Sequence, residues 1–433
     1  MVQGTKNKNM ITEIENSNVI AAGSGGSVRV DRCQISGSEN LKSVMFIGFL
    51  PPVNTMAPIG SRPDEQAAYP AELLYCPESK LVQLGLIVDP AILFPPHYAY
   101  TSGTTRILRD NFSRLKEEIE EFYPIQKDDL IVDVGANDGT LLNNFHQAGY
   151  TTCGVEPTNA FKLMVEKGIP AVNKFFGPEA ADDVLQKYGK SKVVTATNVF
   201  AHIENIHEIV DSILNMLVED GIFISESHYL LSLVETLQYD TIYHEHLRYY
   251  SLSSLKYLLE LHGLEIIRAV RIPTHGGSIR VYASRTGKYQ VSESVGNLLE
   301  EEDQKLSWDS MLQFKRRVSG SKLQLLAMLN EIKAKGQKVY GIGAPSRAST
   351  MVNYIGLDDT IIECVLEIRG SYKIGKFMPG TVIPVLDEAK LFEDQPEFAL
   401  LFSWHIADEL ISKLRQKGYS GKFIIPLPEP RIV

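Results

Sequence analysis

Basic charge is in short supply: across 433 residues, 43 Lys and Arg stand against 53 Asp and Glu, a formal net charge of −10. That balance provides no broad basic face for the phosphate backbone of a nucleic acid, although a local basic pocket for one small anion is compatible with it. No run of about 18 apolar residues occurs, so no membrane-spanning helix is predicted. Lys6 and Lys8 are followed by the polar stretches ENSN and AAGSGGS, where a secretory signal would carry an apolar core. The four cysteines, Cys33, Cys76, Cys153 and Cys364, are too few and too scattered for a disulfide framework; they suit a reducing compartment, and a cytoplasmic location is expected. With 44% hydrophobic and 22% charged residues the chain is neither disordered nor fibrous, and its length allows two to four domains at roughly 100–200 residues each.

What is there reads as four parts. Residues 1–30 are polar and Gly/Ser-rich, unable to bury enough apolar surface to offset ordering entropy, and are expected to form a flexible tail. Residues 31–90 hold short apolar stretches punctuated by prolines, a small turn-rich module. Over 91–290, strand-like segments at 130–135, 153–157, 193–200 and 221–227 alternate with helical ones at 158–167 and 205–218, and an antiparallel hairpin follows from LEIIRAVRI and SIRVYAS. Over 291–433 an acidic helical stretch precedes a second alternation, with strands at 338–344, 361–368, 398–404 and 422–428. The fold class predicted is α/β: two Rossmann-like, doubly wound domains behind a small N-terminal module.

The motifs fall at strand ends. VDVGANDGT (132–140) runs from a strand through a turn containing Gly135 and Gly139 into a helix, with Asp133 ahead of the turn and Glu156 at the end of the next strand. A carboxylate there can accept from both ribose hydroxyls, so an adenosine-bearing cofactor is expected, and the glycine spacing suits S-adenosylmethionine better than a dinucleotide. TIYHEHLRYYS (241–251) sets Tyr243, His244, Glu245 and His246 in succession: a base titrating near neutrality, a phenol for a developing oxyanion and a carboxylate to orient either. The two histidines are two apart, which is not the spacing of a helical zinc motif, and no metal is assigned to them. NVFAHIEN (198–205) brings His202 to a strand's carboxyl end, HYAYTSGTT (97–105) offers Tyr98, THGGSIRVY (274–282) offers Arg280, and VYGIGAPSRAST (339–350) places Ser346 and Arg347 in a helix's first turn, an arrangement for binding an anion such as a diphosphate. Each also has a plain reading as a turn, a cap or a packed side chain.

Taken together and in this order, the motifs resemble the sugar C-methyltransferases of deoxysugar pathways over about residues 33–430. The resemblance implies a zinc-type N-terminal module, a central S-adenosylmethionine domain and a C-terminal Rossmann-like domain that helps bind the nucleotide of the substrate. It implies methylation of a nucleotide-linked 4-keto-6-deoxysugar at carbon 3 or, as in some members, carbon 5, with thymidine diphosphate as the expected nucleotide and carbon 3 as the expected site. Within it His246 is the base, Tyr243 and His202 line the keto group, Glu245 orients the sugar, and Tyr98, His244, Arg280, Ser346 and Arg347 contact substrate. Asp133, Gly135, Asn137, Gly139, Glu156 and Asn198 hold the cofactor. The family's two CxxC pairs read here Cys33-Gln-Ile-Ser36 and Cys76-Pro-Glu-Ser79. A serine hydroxyl is too weakly acidic to replace a thiolate, so no tightly held zinc is expected. The partner expected is a keto-deoxysugar nucleotide acting on a monomer, with neither nucleic acid nor membrane involved. O-methylation of a sugar or small phenol, and non-catalytic binding of a nucleotide sugar, are the competing readings.

Overall fold

The structure, a computed structural model, describes residues 26–94 and 102–433. The N-terminal module contains β1 (Ser27–Arg29), β2 (Lys42–Leu50), β3 (Tyr69–Tyr75), β4 (Val82–Leu84) and β5 (Leu86–Val88). β1 pairs with β5, so residues 27–29, expected to belong to a flexible tail, are ordered strand, while residues 1–25 of that expected tail lie outside the described residues. The alternation of buried and half-buried residues along β3 turns one face of its sheet inward, where Ala71 and Leu73 pack in a core shared with the C-terminal domain.

A seven-stranded sheet forms the central domain: β6 (Leu130–Val134), β7 (Thr151–Val155), β8 (Ala171–Val172), β9 (Ser191–Thr197), β10 (Leu217–His228), β12 (Leu264–Ile272) and β13 (Ser278–Arg285), in the order β12-β13-β10-β9-β6-β7-β8. The five strands β10, β9, β6, β7 and β8 are parallel, and the expected hairpin β12–β13 adds antiparallel to β10. Every residue of β6 is buried, as a central strand covered on both faces requires. Chain order reverses between β6 and β9, and the loops leaving them diverge to open a crevice at their carboxyl ends.

The C-terminal domain repeats this plan with β14 (Val339–Ile342), β15 (Cys364–Glu367), β16 (Lys376–Phe377), β17 (Pro384–Asp387), β18 (Phe398–Leu401), β19 (Lys422–Ile425) and β20 (Arg431–Ile432). Their order is β16-β17-β15-β14-β18-β19-β20, with the reversal between β14 and β18 and antiparallel strands at both edges. The acidic stretch before it is two helices, Glu293–Lys305 and Trp308–Ala334, divided where Ser307 caps the second by accepting from the Ser310 amide at 3.1 Å. Among the described residues no helix is long and apolar enough to cross a membrane.

One strand ties module to domain. Residues 248–249 (β11, Arg248–Tyr249) leave the central domain to pair with β4, completing a four-stranded sheet of order β11-β4-β3-β2. The YHEH segment immediately precedes β11, so the module's sheet sets where those four side chains sit. The Leu84 amide donates to the Leu247 carbonyl at 3.0 Å, and the Leu247 amide donates to Ala201 at 2.9 Å, stitching module, YHEH and the loop after β9 together.

Candidate active site

At the mouth of the β6/β9 crevice the backbone is forced into unusual conformations. Gly135 has φ +69°, and a Cβ there would lie 2.3 Å from the Val199 side chain; Gly139, at φ +73°, would meet Met164 at 2.7 Å. Only glycine allows this turn to curl so tightly. Between them Asn137 adopts φ +51° without being glycine, and its amide donates to Glu156 Oε2 at 2.9 Å. Glu156 also accepts from the amide and hydroxyl of Thr158, at 2.9 and 2.6 Å, so its carboxylate is locked at the end of β7. Asp133 is buried beneath the turn, accepting from Thr195 Oγ1 at 2.6 Å; burial pushes its carboxyl up to about 7, against the help of that bond and with Glu156 and Glu226 adding to the rise.

Asn198 supplies the clearest sign of a missing partner. It sits just beyond β9 at φ +57°, and its Oδ1 is buried with no hydrogen-bond donor. A buried acceptor left unpaired costs about 1–3 kcal/mol, and strained, unsatisfied residues collect where ligands bind. The ammonium and ribose hydroxyls of S-adenosylmethionine are donors, and the glycine turn, the fixed Glu156 carboxylate and the orphaned Asn198 oxygen together fit that cofactor.

Across the crevice stands a group of imidazoles. The ring of His246 lies 4.3 Å from Tyr243, 4.8 Å from His228 and 5.0 Å from His202, centroid to centroid, and His228 lies 5.5 Å from His275. His246 Nδ1 is 2.8 Å from the Thr241 carbonyl. A carbonyl only accepts, so Nδ1 carries the proton and Nε2 is left as a lone pair. Burial, then the neighbouring His202, holds its pKa well below the usual histidine range despite the Thr241 bond, so the ring is neutral at physiological pH. His202 is fixed likewise by the Glu245 carbonyl, and burial lowers it to about 4. The Glu245 side chain accepts from Asn54 of the N-terminal module at 2.6 Å, and burial raises its pKa to about 8 against the pull of Lys373, so it keeps its proton at neutral pH.

Three substrate contacts expected from sequence are placed otherwise. His244 turns to the N-terminal module, its Nε2 3.2 Å from the Pro70 carbonyl and its ring edge-on to Tyr69, because residues 243–245 form a turn that sends neighbouring side chains apart. Arg280 is fully buried in β13, donating to Glu226 at 2.6 Å, Glu118 at 2.8 Å and Asn111 at 2.8 Å; it holds the helix Arg106–Phe122 to the sheet. Arg347 is no free anion receptor: its Nε and Nη2 grip both oxygens of Asp240 at 2.8 Å, and the guanidinium lies over the Trp404 ring. Ser346 begins the helix Ser346–Ile355 and is half-exposed. Tyr98 lies outside the described residues.

His228, His275, His405, Asp240 and Asn54 escaped the sequence reading. His228 and His405 follow strands 221–227 and 398–404 directly, so the strand-end rule that found His202 would have found them too. Asn54 had no signal, since its approach to Glu245 depends on how two domains pack.

In the N-terminal module the four residues of the CxxS pairs do converge: Cys33 Sγ is 3.1 Å from Ser79 Oγ, and Ser36 Oγ is 3.6 Å from Cys76 Sγ. Burial raises the Cys76 pKa, but hydrogen bonds from Ser79, Ser36 and Cys33 outweigh it and the net shift is downward. Two thiols and two hydroxyls bonded to one another do not make a zinc ligand set. No group of three or more His, Cys, Asp or Glu able to hold a metal occurs among the described residues.

Three family models match consecutive regions: one of zinc-binding type over residues 33–94, a methyltransferase domain over 107–269, and a C-methyltransferase C-terminal domain over 273–428. The C-methyltransferase NovU of Streptomyces niveus is 29% identical over 411 residues, 93% of this chain and 97% of the relative. Among solved structures, magnesium protoporphyrin IX methyltransferase from Synechocystis PCC 6803 with bound SAM is 14% identical with a TM-score of 0.31, over 41% of this chain and 79% of that one. The glycopeptide N-methyltransferase MtfA with SAM is 13% identical with a TM-score of 0.32, over 44% of this chain and 98% of that one. Successive methyltransferase-type models thus cover most of the chain's length, and a C-methyltransferase aligns with it almost from end to end.

Proposed function

We propose that the protein methylates carbon 3 of a nucleotide-linked, thymidine diphosphate, 4-keto-6-deoxysugar, with His246 as general base. The observation that carries this reading is the tautomer of His246: its Nδ1 proton is committed to the Thr241 carbonyl, and its neutral Nε2 is free to accept another. A ketone acidifies the C–H beside it, and a buried neutral imidazole can remove that proton provided the enolate oxygen is met by donors. Tyr243, 4.3 Å from the base between ring centroids, is the donor assigned to that oxygen. His202 presents a lone pair at Nε2 and orients a sugar hydroxyl, and the protonated Glu245, steadied by Asn54, donates to a sugar oxygen.

S-adenosylmethionine, when bound, supplies an electrophilic methyl group. Gly135, Asn137 and Gly139 cradle it by backbone, Glu156 receives the ribose, Asn198 Oδ1 accepts from a cofactor donor, and Asp133 braces the turn from below. Positioning and enolate stabilisation carry the rate, with the three parts of the chain converging on Glu245 to exclude water. Incubating thymidine diphospho-4-keto-6-deoxyglucose with the protein and S-adenosylmethionine in deuterated water, followed by mass spectrometry with fragmentation, tests the proposal. A product one methyl heavier at carbon 3 is expected; no exchange and no methylation, with both ligands bound, refutes it.

A further inference from the structure

His405 lies where the second sheet's chain order reverses. It follows β18, and across the crevice stand the glycine turn after β14 and the first turn of the helix Ser346–Ile355. Gly343 has φ +79°, its amide donates to Leu366 at 2.8 Å, and the Ala344 amide donates to Glu367 at 2.6 Å, the same pattern that Gly135, Asn137 and Glu156 make in the first sheet. Ligands of open α/β sheets gather in such crevices, and the free amides of a helix start favour an anion.

The neighbours of His405 determine which of its nitrogens carries a proton. Arg347 Nη1 lies 3.1 Å from His405 Nδ1. A guanidinium can only donate, so Nδ1 is the lone-pair nitrogen and the proton of the neutral ring sits on Nε2. Arg347 cannot swing away: Asp240 holds it through two bonds of 2.8 Å, Gln238 accepts at 3.2 Å, and Trp404 both stacks on it and donates to Asp240 at 2.8 Å. Burial, then Arg347 and His275, push the His405 pKa down to about 3, so the ring does not charge at neutral pH. Its Nε2–H makes no hydrogen bond with any described residue, and the ring is only partly buried. Arg347, expected from sequence to hold an anion itself, is instead held by Asp240 and fixes the tautomer of a neutral donor.

We propose that His405 binds a phosphate oxygen of the nucleotide-sugar substrate as a neutral Nε2–H donor, with Arg347 and Asp240 as the positioning residues that keep that proton in place. The inference rests on the nucleotide-sugar reading and adds a contact to it. Calorimetric titration with thymidine diphosphoglucose, whose diphosphate is diesterified and does not titrate near neutrality, separates the two. His405→Phe should weaken binding about tenfold, as loss of one hydrogen bond to a charged group does, whereas His405→Gln, which keeps an N–H, should stay within about threefold of the parent. Affinity for S-adenosylmethionine should be unchanged in both. Wild-type affinity should be flat between about pH 6 and 8, whereas an imidazolium contact would weaken as the pH rises through that range. Long-range proton–nitrogen spectra of the unliganded protein should show His405 protonated at Nε2. Equal affinity in the His405→Phe protein, or a proton on Nδ1, overturns the role of His405 and leaves the nucleotide-sugar reading standing. Failure of the wild-type protein to bind thymidine diphosphoglucose overturns both.

Discussion

Lowering the pH from about 6.5 to about 5 is the perturbation the site is least built to withstand, because it protonates histidines in the unfolded chain that the fold keeps neutral. Burial holds His202 and His275 near 4 and His405 near 3, and holds His228 and His246 well below the ordinary value. A group whose folded pKa is depressed lends stability that is present above its unfolded pKa, about 6.5 for histidine, and is lost as the pH falls towards the folded value. Asp133 and Glu245 act in the opposite sense: their folded values of about 7 and about 8 lie above the unfolded ones, so their contribution is present in acid and is lost as the pH rises through 7 to 8. Between about pH 6 and 5, unfolding therefore takes up five protons at these histidines and releases two from these carboxyls. These seven groups contribute a net uptake of three and a slope of about 4 kcal/mol per pH unit, with stability falling as the pH drops; burial also lowers His207 and His244 and raises Glu226, which add to the uptake and to the release respectively. Urea unfolding followed by circular dichroism at half-unit pH steps measures the slope directly. His275→Asn should reduce it by about 1.4 kcal/mol per pH unit. A wild-type stability that is flat across this window, or an unchanged slope in the variant, would refute the claim that the fold holds this array neutral.

Three further outcomes are expected. His246→Asn should lower kcat by about 10²–10⁴ while leaving S-adenosylmethionine affinity nearly intact, and a fully active variant would remove His246 from the role of base. Glu156→Ala should weaken S-adenosylmethionine binding about tenfold or more, since it deletes a carboxylate held by both Asn137 and Thr158; unchanged affinity in calorimetry would mean the ribose lies elsewhere. Elemental analysis of protein purified without chelator should find well under one zinc per chain, and a stoichiometric value would contradict the argument from Ser36 and Ser79.

The alternation of strand and helix, the two glycine turns and the hairpin between the units were legible in the chain because each is a local pattern: buried parallel strands read as unbroken apolar runs, and a turn at positive φ calls for glycine or asparagine. The same locality made His246, Glu156 and Asn198 visible, since all three sit at strand ends or in one compact motif. The roles of Arg280 and Arg347 were not legible. A lone arginine in a glycine-rich stretch looks like an anion contact, and only packing shows that Glu226 and Glu118 claim the first and Asp240 the second.

The order of apolar and polar residues along the chain thus determined by itself which segments become strands, where the backbone must turn and which family the motifs resemble, because those depend on neighbours a few residues apart. Tertiary structure alone decided which nitrogen of His202, His246 and His405 carries its proton, that Glu245 stays protonated, and that Asn54 reaches it from 191 residues away. Those properties arise from the removal of water and from single hydrogen-bond partners supplied by distant elements, and no local pattern encodes either.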